Sequence, residues 1–151
     1  MASPRPTRPT RVFIDSSVLF AAALSDRGPA RELIVRGLQG DLHLFISSLV
    51  LEETERNLLE KAPRALGPFG LLREALGAGV VDPSRASVIR VAKVVNLKDA
   101  PIVSAALKAR AFYLATHDVR TLLRYAAEIR ENFGVQLVQP QEVLETLRDP
   151  R

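Results

Sequence analysis

Arg11-Val12-Phe13-Ile14-Asp15 is a short apolar run that ends in an acid. Such a run is typical of a buried strand whose last residue emerges at the carboxyl edge of a sheet. Further short strands are predicted at residues 42–46, 79–81, 112–115 and 135–138. The folded part of the chain therefore begins with a strand that carries a carboxylate out of the core.

The segments between these strands have the spacing of amphipathic helices. Gly28-Pro29 opens one such segment and Gly40 closes it, and Asp99 occupies an N-cap position before Ala100-Pro101. Further helices are predicted at residues 48–60, 66–76 and 122–129, and from Pro140 onward. Residues 84–95 favour a helix, although their β-branched content also suits a strand. The alternation predicts an α/β fold with a mostly parallel central sheet and helices on both faces.

Composition indicates one domain and excludes several classes of site. A chain of 151 residues with 47% hydrophobic residues can bury a core in a single unit, which we place at residues 11–148. The absence of cysteine excludes disulfides and Cys-ligated zinc, and it fits a reducing compartment. No apolar run is long enough for a membrane span or a secretory signal, so we expect a soluble, cytoplasmic protein.

The positive charge is concentrated at the N-terminus. Of the formal net charge of +4, three charges come from Arg5, Arg8 and Arg11. Residues 1–10, which contain three prolines and no acid, are predicted to be a disordered basic tail. With only 5% aromatic residues, the chain has few side chains for stacking on nucleic-acid bases.

Four carboxylates fall where a parallel sheet brings its chain turns together. Asp15 follows the first strand, Glu53 lies early in a helix, Asp99 precedes a helix, and Asp118 follows the strand at 112–115. Ligands of open α/β sheets usually bind at the carboxyl ends of the strands. Four converging acids repel one another unless a cation neutralises them, and Mg²⁺ or Mn²⁺ suits oxygen ligands. Each acid alone also has a structural explanation, as a helix cap or a partner of the helix dipole.

Four motifs in order carry a resemblance to a known family. They are Val12-Phe13-Ile14-Asp15-Ser16-Ser17, Ile46-Ser47-Ser48-Leu49-Val50-Leu51-Glu52-Glu53, Lys98-Asp99-Ala100-Pro101-Ile102-Val103-Ser104-Ala105-Ala106-Leu107 and Tyr113-Leu114-Ala115-Thr116-His117-Asp118. With them the chain resembles a PIN domain, the fold of the VapC toxins of bacterial toxin–antitoxin pairs and of related ribonucleases. The resemblance covers residues 12–147.

The resemblance implies a three-layer PIN-like fold and a metal-dependent endoribonuclease that cuts single-stranded RNA. Asp15, Glu53, Asp99 and Asp118 match the family's acidic positions and would hold the Mg²⁺ or Mn²⁺ that catalysis needs. The toxin of a type II pair would also bind a cognate antitoxin, and a homodimer is a further expected partner. A membrane is not expected.

Other polar residues near the motifs have candidate roles. Ser17 and Thr116 are expected to hydrogen-bond the ligand carboxylates, and their alternative role is to close local turns. Candidates for contact with RNA phosphate are Lys98, Arg120 and Arg124, together with Arg56 and Lys61, although each alone suits a solvated helix surface. His117 is interpreted as a turn residue rather than a general base.

Three departures from the family pattern leave alternatives open. Ser16-Ser17 replaces the common Thr-Asn after the first acid, and Arg120 stands where many members carry another Asp. The Glu52-Glu53 pair leaves the register uncertain by one residue. Neighbouring helical residues point about 100° apart, so only one of the two can face the site, and the family match favours Glu53. The alternative function is a catalytically decayed PIN-like module that binds RNA or protein. A phosphoaspartate protein fits less well, because Ser17 stands where the phosphatase motif needs a second Asp and no acid pair precedes Asp15 as a receiver requires.

Overall fold

The computed structural model describes residues 8–118, 120 and 122–148. Its four strands are β1 (Thr10–Ile14), β2 (Leu42–Phe45), β3 (Tyr113–Ala115) and β4 (Gln136–Val138). They form one sheet in the order β2-β1-β3-β4, and all three neighbouring pairs are parallel. The predicted tail lies largely outside the described residues, and β1 begins at Thr10, one residue earlier than predicted.

Eight α-helices flank the sheet within the described residues. They are α1 (Ser16–Leu24), α2 (Pro29–Leu38), α3 (Ser48–Lys61), α4 (Leu66–Leu76), α5 (Arg85–Val91), α6 (Ala100–Lys108), α7 (Ala126–Phe133) and α8 (Pro140–Arg148). Short 3₁₀ turns occupy Pro63–Ala65, Gly77–Gly79 and Leu123–Tyr125. The predicted α/β class with a parallel sheet is confirmed.

The core is centred on β1. Val12, Phe13 and Ile14 are fully buried, as expected for an inner strand of a parallel sheet covered on both faces. Val12 pairs with Leu44 on one side and with Tyr113 on the other. β1 therefore fixes the positions of both neighbouring strands, and its last residue leads directly to Asp15.

Two elements differ from the prediction. Residues 79–81 do not form a strand: Val80 makes only an isolated parallel bridge to Ile46, with Ile46 N donating to Gly79 O at 2.9 Å. Gly79 belongs to a 3₁₀ turn and Pro83, which has no N–H, follows soon after. Helix α1 was not predicted, because its residues are apolar on every side and show no helical period.

No helix among the described residues combines the length and the apolar composition needed to cross a membrane.

The close approach of Gly79 to β2 gives a test of the packing. A Cβ on Gly79 would lie 2.3 Å from Leu44 O, a backbone atom, whereas one on Gly77 would meet nothing within 4 Å. We expect Gly79→Ala to lower the free energy of unfolding by roughly 1–3 kcal/mol, since backbone must shift to admit the methyl group. Gly77→Ala is the control, and it should leave the protein unchanged or more stable by up to about 1 kcal/mol. Urea titration of both variants measures the difference, and equal effects would contradict the packing.

Candidate active site

The sheet has one topological switch point, between β1 and β3. From β1 the chain crosses to β2 on one side, whereas β3 and β4 lie on the other side. At such a point the crossover connections leave in opposite directions and open a crevice at the carboxyl ends of the strands. Asp15 follows β1 and Thr116 follows β3, so both residues stand at this crevice.

Asp15 is buried, and hydrogen bonds hold both of its carboxylate oxygens. Oδ1 accepts from Ser17 N at 3.0 Å, from Ser17 Oγ at 2.6 Å and from Val18 N at 3.2 Å. Oδ2 accepts a short hydrogen bond from Thr116 Oγ1. The hydrogen bonds from the backbone amides of Ser17 and Val18 make Asp15 the N-cap of α1. The hydrogen bond from Thr116 connects Asp15 to the end of β3.

The hydroxyls of Ser17 and Thr116 are oriented by backbone amides of the loop after β3. His117 N donates to Ser17 Oγ, and Asp118 N donates to Thr116 Oγ1, each at 2.9 Å. A hydroxyl has a single proton, and in both residues that proton is directed to Asp15. The structure therefore places both predicted supporting residues directly on Asp15.

Asp99 precedes α6 but does not cap it by its side chain. Its backbone is helical (φ −89°, ψ −17°) rather than extended, and Pro101 offers no N–H for a carboxylate to accept. The Asn96 side chain instead accepts from Asp99 N at 2.9 Å. Asp99 Oδ2 is buried and has no hydrogen-bond partner among the described residues. The predicted N-cap position is thus correct, but the capping hydrogen bond is not made.

Glu53 and Glu52 point to different environments. Glu53 is half-buried on α3 and accepts a hydrogen bond from Ser16 Oγ at 3.1 Å, whereas Glu52 is exposed. This orientation follows from the buried side of α3, which Leu51 and Leu58 share. Of the two acids, Glu53 faces the crevice.

The four predicted carboxylates line one pocket of about 290 Å³. The residues around it are Asp15, Ser16, Glu53, Arg56, Asn57, Lys98, Asp99, Ile102, Asp118 and Leu122. Among the described residues, no group of three or more His, Asp or Glu side chains is arranged so that it could hold a metal ion. The acids thus share the pocket without forming a complete metal centre.

The basic residues divide into two groups. Arg56 and Lys98 line the pocket, whereas Arg120 and Arg124 are exposed and do not. Arg124 donates to the Tyr125 hydroxyl at 2.9 Å, and this bond raises the pKa of the guanidinium. Electrostatic interactions with Tyr125 and, more weakly, with Asp99 act in the same direction. Arg124 is thus near enough to interact with Asp99, although it does not line the pocket.

Sequence reasoning missed three residues that the structure brings into the site. Ser16 holds Glu53, Asn96 holds the backbone of Asp99, and Asn57 lines the pocket. Asn57 lies four residues after Glu53, which is one helical turn, so its placement could have been inferred from the register of α3. Ser16 begins α1 and Asn96 lies in the loop before α6, and no pattern in the sequence indicates the contacts that they make.

Burial raises the pKa of the Asp15 carboxyl above its usual range. The hydrogen bonds from Ser17, Thr116 and Val18 act in the opposite direction, because they favour the charged form. The free energy lost when the carboxylate is removed from water thus exceeds the stabilisation that its neutral hydrogen-bond donors provide.

An open α/β sheet with a carboxylate-lined pocket at its switch point is the class of structure that these observations define. The crystal structure of PAE2754 from Pyrobaculum aerophilum is similar to it, with a TM-score of 0.66 and 19% sequence identity, over 92% of this chain and 96% of that one. At this identity the similarity supports the fold alone. No family model and no curated protein matches the chain.

The raised pKa of Asp15 predicts how the stability of the metal-free protein depends on pH. A carboxyl whose pKa is higher in the folded state stabilises the fold below its unfolded pKa, near 3.8, and loses that contribution as the pH rises through the folded pKa. We expect Asp15→Asn to gain melting temperature relative to the wild type as the pH rises from about 4 to 7.

Thermal melts in a chelator measure this difference, with the exposed Asp26→Asn as the control. A difference between Asp15→Asn and the wild type that does not change with pH would contradict the raised pKa.

Proposed function

We propose that this protein is a metal-dependent endoribonuclease that cleaves single-stranded RNA. Asp15, Glu53, Asp99 and Asp118 hold the Mg²⁺ or Mn²⁺ ion. The observation that carries the proposal is Asp99 Oδ2, a buried oxygen without a hydrogen-bond partner among the described residues, in a pocket that three other carboxylates line.

A buried acceptor without a donor is costly, by about 1–3 kcal/mol and more for a charged group. The cost is recovered if the oxygen binds a ligand that the apo protein lacks. A cation is the ligand that fits, because it also relieves the repulsion between the four acids. Carboxylate oxygens, without Cys or His in the pocket lining, are the donors that Mg²⁺ and Mn²⁺ prefer.

The acids differ in how firmly the structure holds them. Asp15 is fixed by four hydrogen bonds, whereas Glu53 has a longer side chain, is half-buried and accepts a single hydrogen bond from Ser16. Formation of a cation site therefore requires adjustment of the less constrained acids toward Asp15 and Asp99. Glu53, with its longer side chain, can make this adjustment more readily than Asp15.

The residues of the pocket suit hydrolysis of a phosphodiester. A bound divalent cation lowers the pKa of water and stabilises negative charge on a phosphate. Lys98 and Arg56 place positive charge at the same pocket, where a backbone phosphate can be positioned. Attack by the 2′-hydroxyl of RNA generally needs a general base and a general acid, and the pocket-lining residues that the structure describes include no histidine. The products should therefore carry a 5′-phosphate and a 3′-hydroxyl.

The sequence resemblance extends the proposal to a cytoplasmic type II toxin with a cognate antitoxin. Its support is the set of four motifs around the acids. A small neighbouring gene for a DNA-binding protein with a disordered tail would favour this role.

Removal of one acid tests the cation site. We expect the wild type to bind Mn²⁺ and Asp99→Asn to bind it at least tenfold more weakly, because a ligand charge is lost. The same variant should melt at or above the temperature of the metal-free wild type, since the repulsion between the acids falls. Calorimetric titration and thermal melts measure both effects, with the exposed Asp26→Asn as the control.

A wild type that binds no Mn²⁺ at millimolar concentration would favour the second candidate, a catalytically decayed module that binds RNA or protein. The absence of a complete metal group among the described residues is the observation on its side.

The two neighbouring glutamates of α3 provide a matched pair for activity. Glu53→Gln keeps an oxygen that can accept from Ser16 but removes the charge, and we expect it to lower the cleavage rate by at least about a hundredfold. Glu52→Gln removes the same charge from an exposed position and should leave the rate unchanged. A gel assay on a labelled single-stranded RNA compares them, and equal losses would contradict the assignment of Glu53.

A further inference from the structure

A second polar pocket lies at the opposite edge of the sheet, where the strands begin. It has a volume of about 380 Å³ and is lined by Arg8, Pro9, Arg11, His43 and Arg110. Arg11 and His43 are the second residues of β1 and β2, and Arg110 lies three residues before β3. None of the described residues that line this pocket is an acid, and we call it the basic pocket.

Arg11 is held rigidly at the wall of the basic pocket. Its Nε and Nη2 atoms donate to Ala109 O at 2.9 and 2.7 Å, and its guanidinium lies 4.4 Å from the centre of the Phe45 ring. A guanidinium has five N–H donors, so about three remain for a ligand. The ring and the carbonyl fix the orientation of these donors before any ligand arrives.

Arg110 occupies a backbone position that ordinarily belongs to glycine. Its φ of +57° is left-handed, and it is the C′ residue of a Schellman motif at the end of α6. Arg110 N donates to Leu107 O at 2.9 Å, and Ala111 N donates to Ala106 O at 3.0 Å. Folding alone would favour glycine here, because a side chain in this conformation costs about 1 kcal/mol. The arginine side chain thus needs another explanation.

The helix dipole is the simplest structural explanation for Arg110, since cations stabilise helix C-termini. Arg11 already supplies that positive charge, because it donates two hydrogen bonds to Ala109 O at the same helix end. Within the described part of the chain, none of the arginines of the basic pocket forms an ion pair. Their mutual repulsion is relieved when an anion binds between them.

We propose that the basic pocket binds a phosphate group of a single-stranded RNA, remote from the carboxylate pocket. Guanidinium groups bind phosphate through charge-assisted, often paired hydrogen bonds. The two pockets lie at opposite ends of β1, about 13 Å apart along the strand. The choice of RNA as the source of the phosphate rests on the proposed function, and the basic pocket then holds a part of the strand that is not being cut.

Arg110→Gly is the decisive variant, because it removes the charge and also relieves the backbone strain. We expect it to fold and to melt at or above the wild-type temperature. Binding of a fluorescent 12-nucleotide RNA, measured by anisotropy in EDTA, should weaken about fivefold to tenfold at low salt. The slope of log K against log salt should fall by about 0.7, the value for one phosphate contact on a single strand.

Two further variants control for charge and for position. Arg110→Lys keeps the charge but not the paired hydrogen bonds, so it should keep the wild-type slope against salt and lose less affinity than Arg110→Gly. Arg27→Gly removes an arginine from an exposed loop that lines neither pocket, and it should leave both the affinity and the slope unchanged.

Since the chelator removes divalent cations, this assay is independent of the proposed catalysis, and a failure of either proposal can be recognised separately. Equal RNA affinity of the wild type and Arg110→Gly would overturn the phosphate site. So would a wild type that binds no RNA in EDTA. Loss of inorganic pyrophosphate or ATP binding in Arg110→Gly, with RNA binding intact, would assign the pocket to a free anion and overturn the RNA assignment.

Discussion

The contact between Asp15 and Thr116 is the interaction on which the site and much of the fold depend. Asp15 directly follows β1, caps α1 and accepts a hydrogen bond from Thr116, the residue that follows β3. One carboxylate thus joins the two central strands at the point where the chain connections diverge. Because β1 and β3 are the inner strands of the sheet, this contact sets the position of the crevice between them.

The site places carboxyl groups in buried positions, and this arrangement does not maximise the stability of the fold. Burial raises the pKa of Asp15, while Asp99 keeps a buried oxygen without a donor among the described residues. An apolar pair or a simple helix cap at these places would cost less free energy. Buried polar groups that lack a hydrogen-bond partner in the folded protein are most common at functional sites, where a ligand can bind to them.

An element can be predicted from the sequence when residues close together in the chain determine it, and not when it depends on contacts between distant segments. The strand before Asp15 was predictable, because an apolar run of a few residues determines it. For Glu53, apolar periodicity indicated only that Glu52 and Glu53 point apart, and the family motif indicated which of them faces inward. Helix α1 was missed, since a helix that is apolar on all sides shows no period, and residues 79–81 were wrongly predicted as a strand. The basic pocket could not be predicted, because Arg8, His43 and Arg110 come from three distant segments.

The departures from the PIN pattern at Ser17 and Arg120 are the strongest sequence argument for a decayed site, and the structure weakens both. The Ser17 hydroxyl donates to Asp15 at 2.6 Å and accepts from His117 N, so the shorter side chain still orients the first acid. Arg120 is exposed and does not line the pocket, so its charge does not replace a ligand there. The support that remains for decay is the incomplete grouping of the acids. Under the proposed cation site, mutual repulsion between the carboxylates accounts for that grouping equally well, because it keeps the acids apart in the metal-free protein.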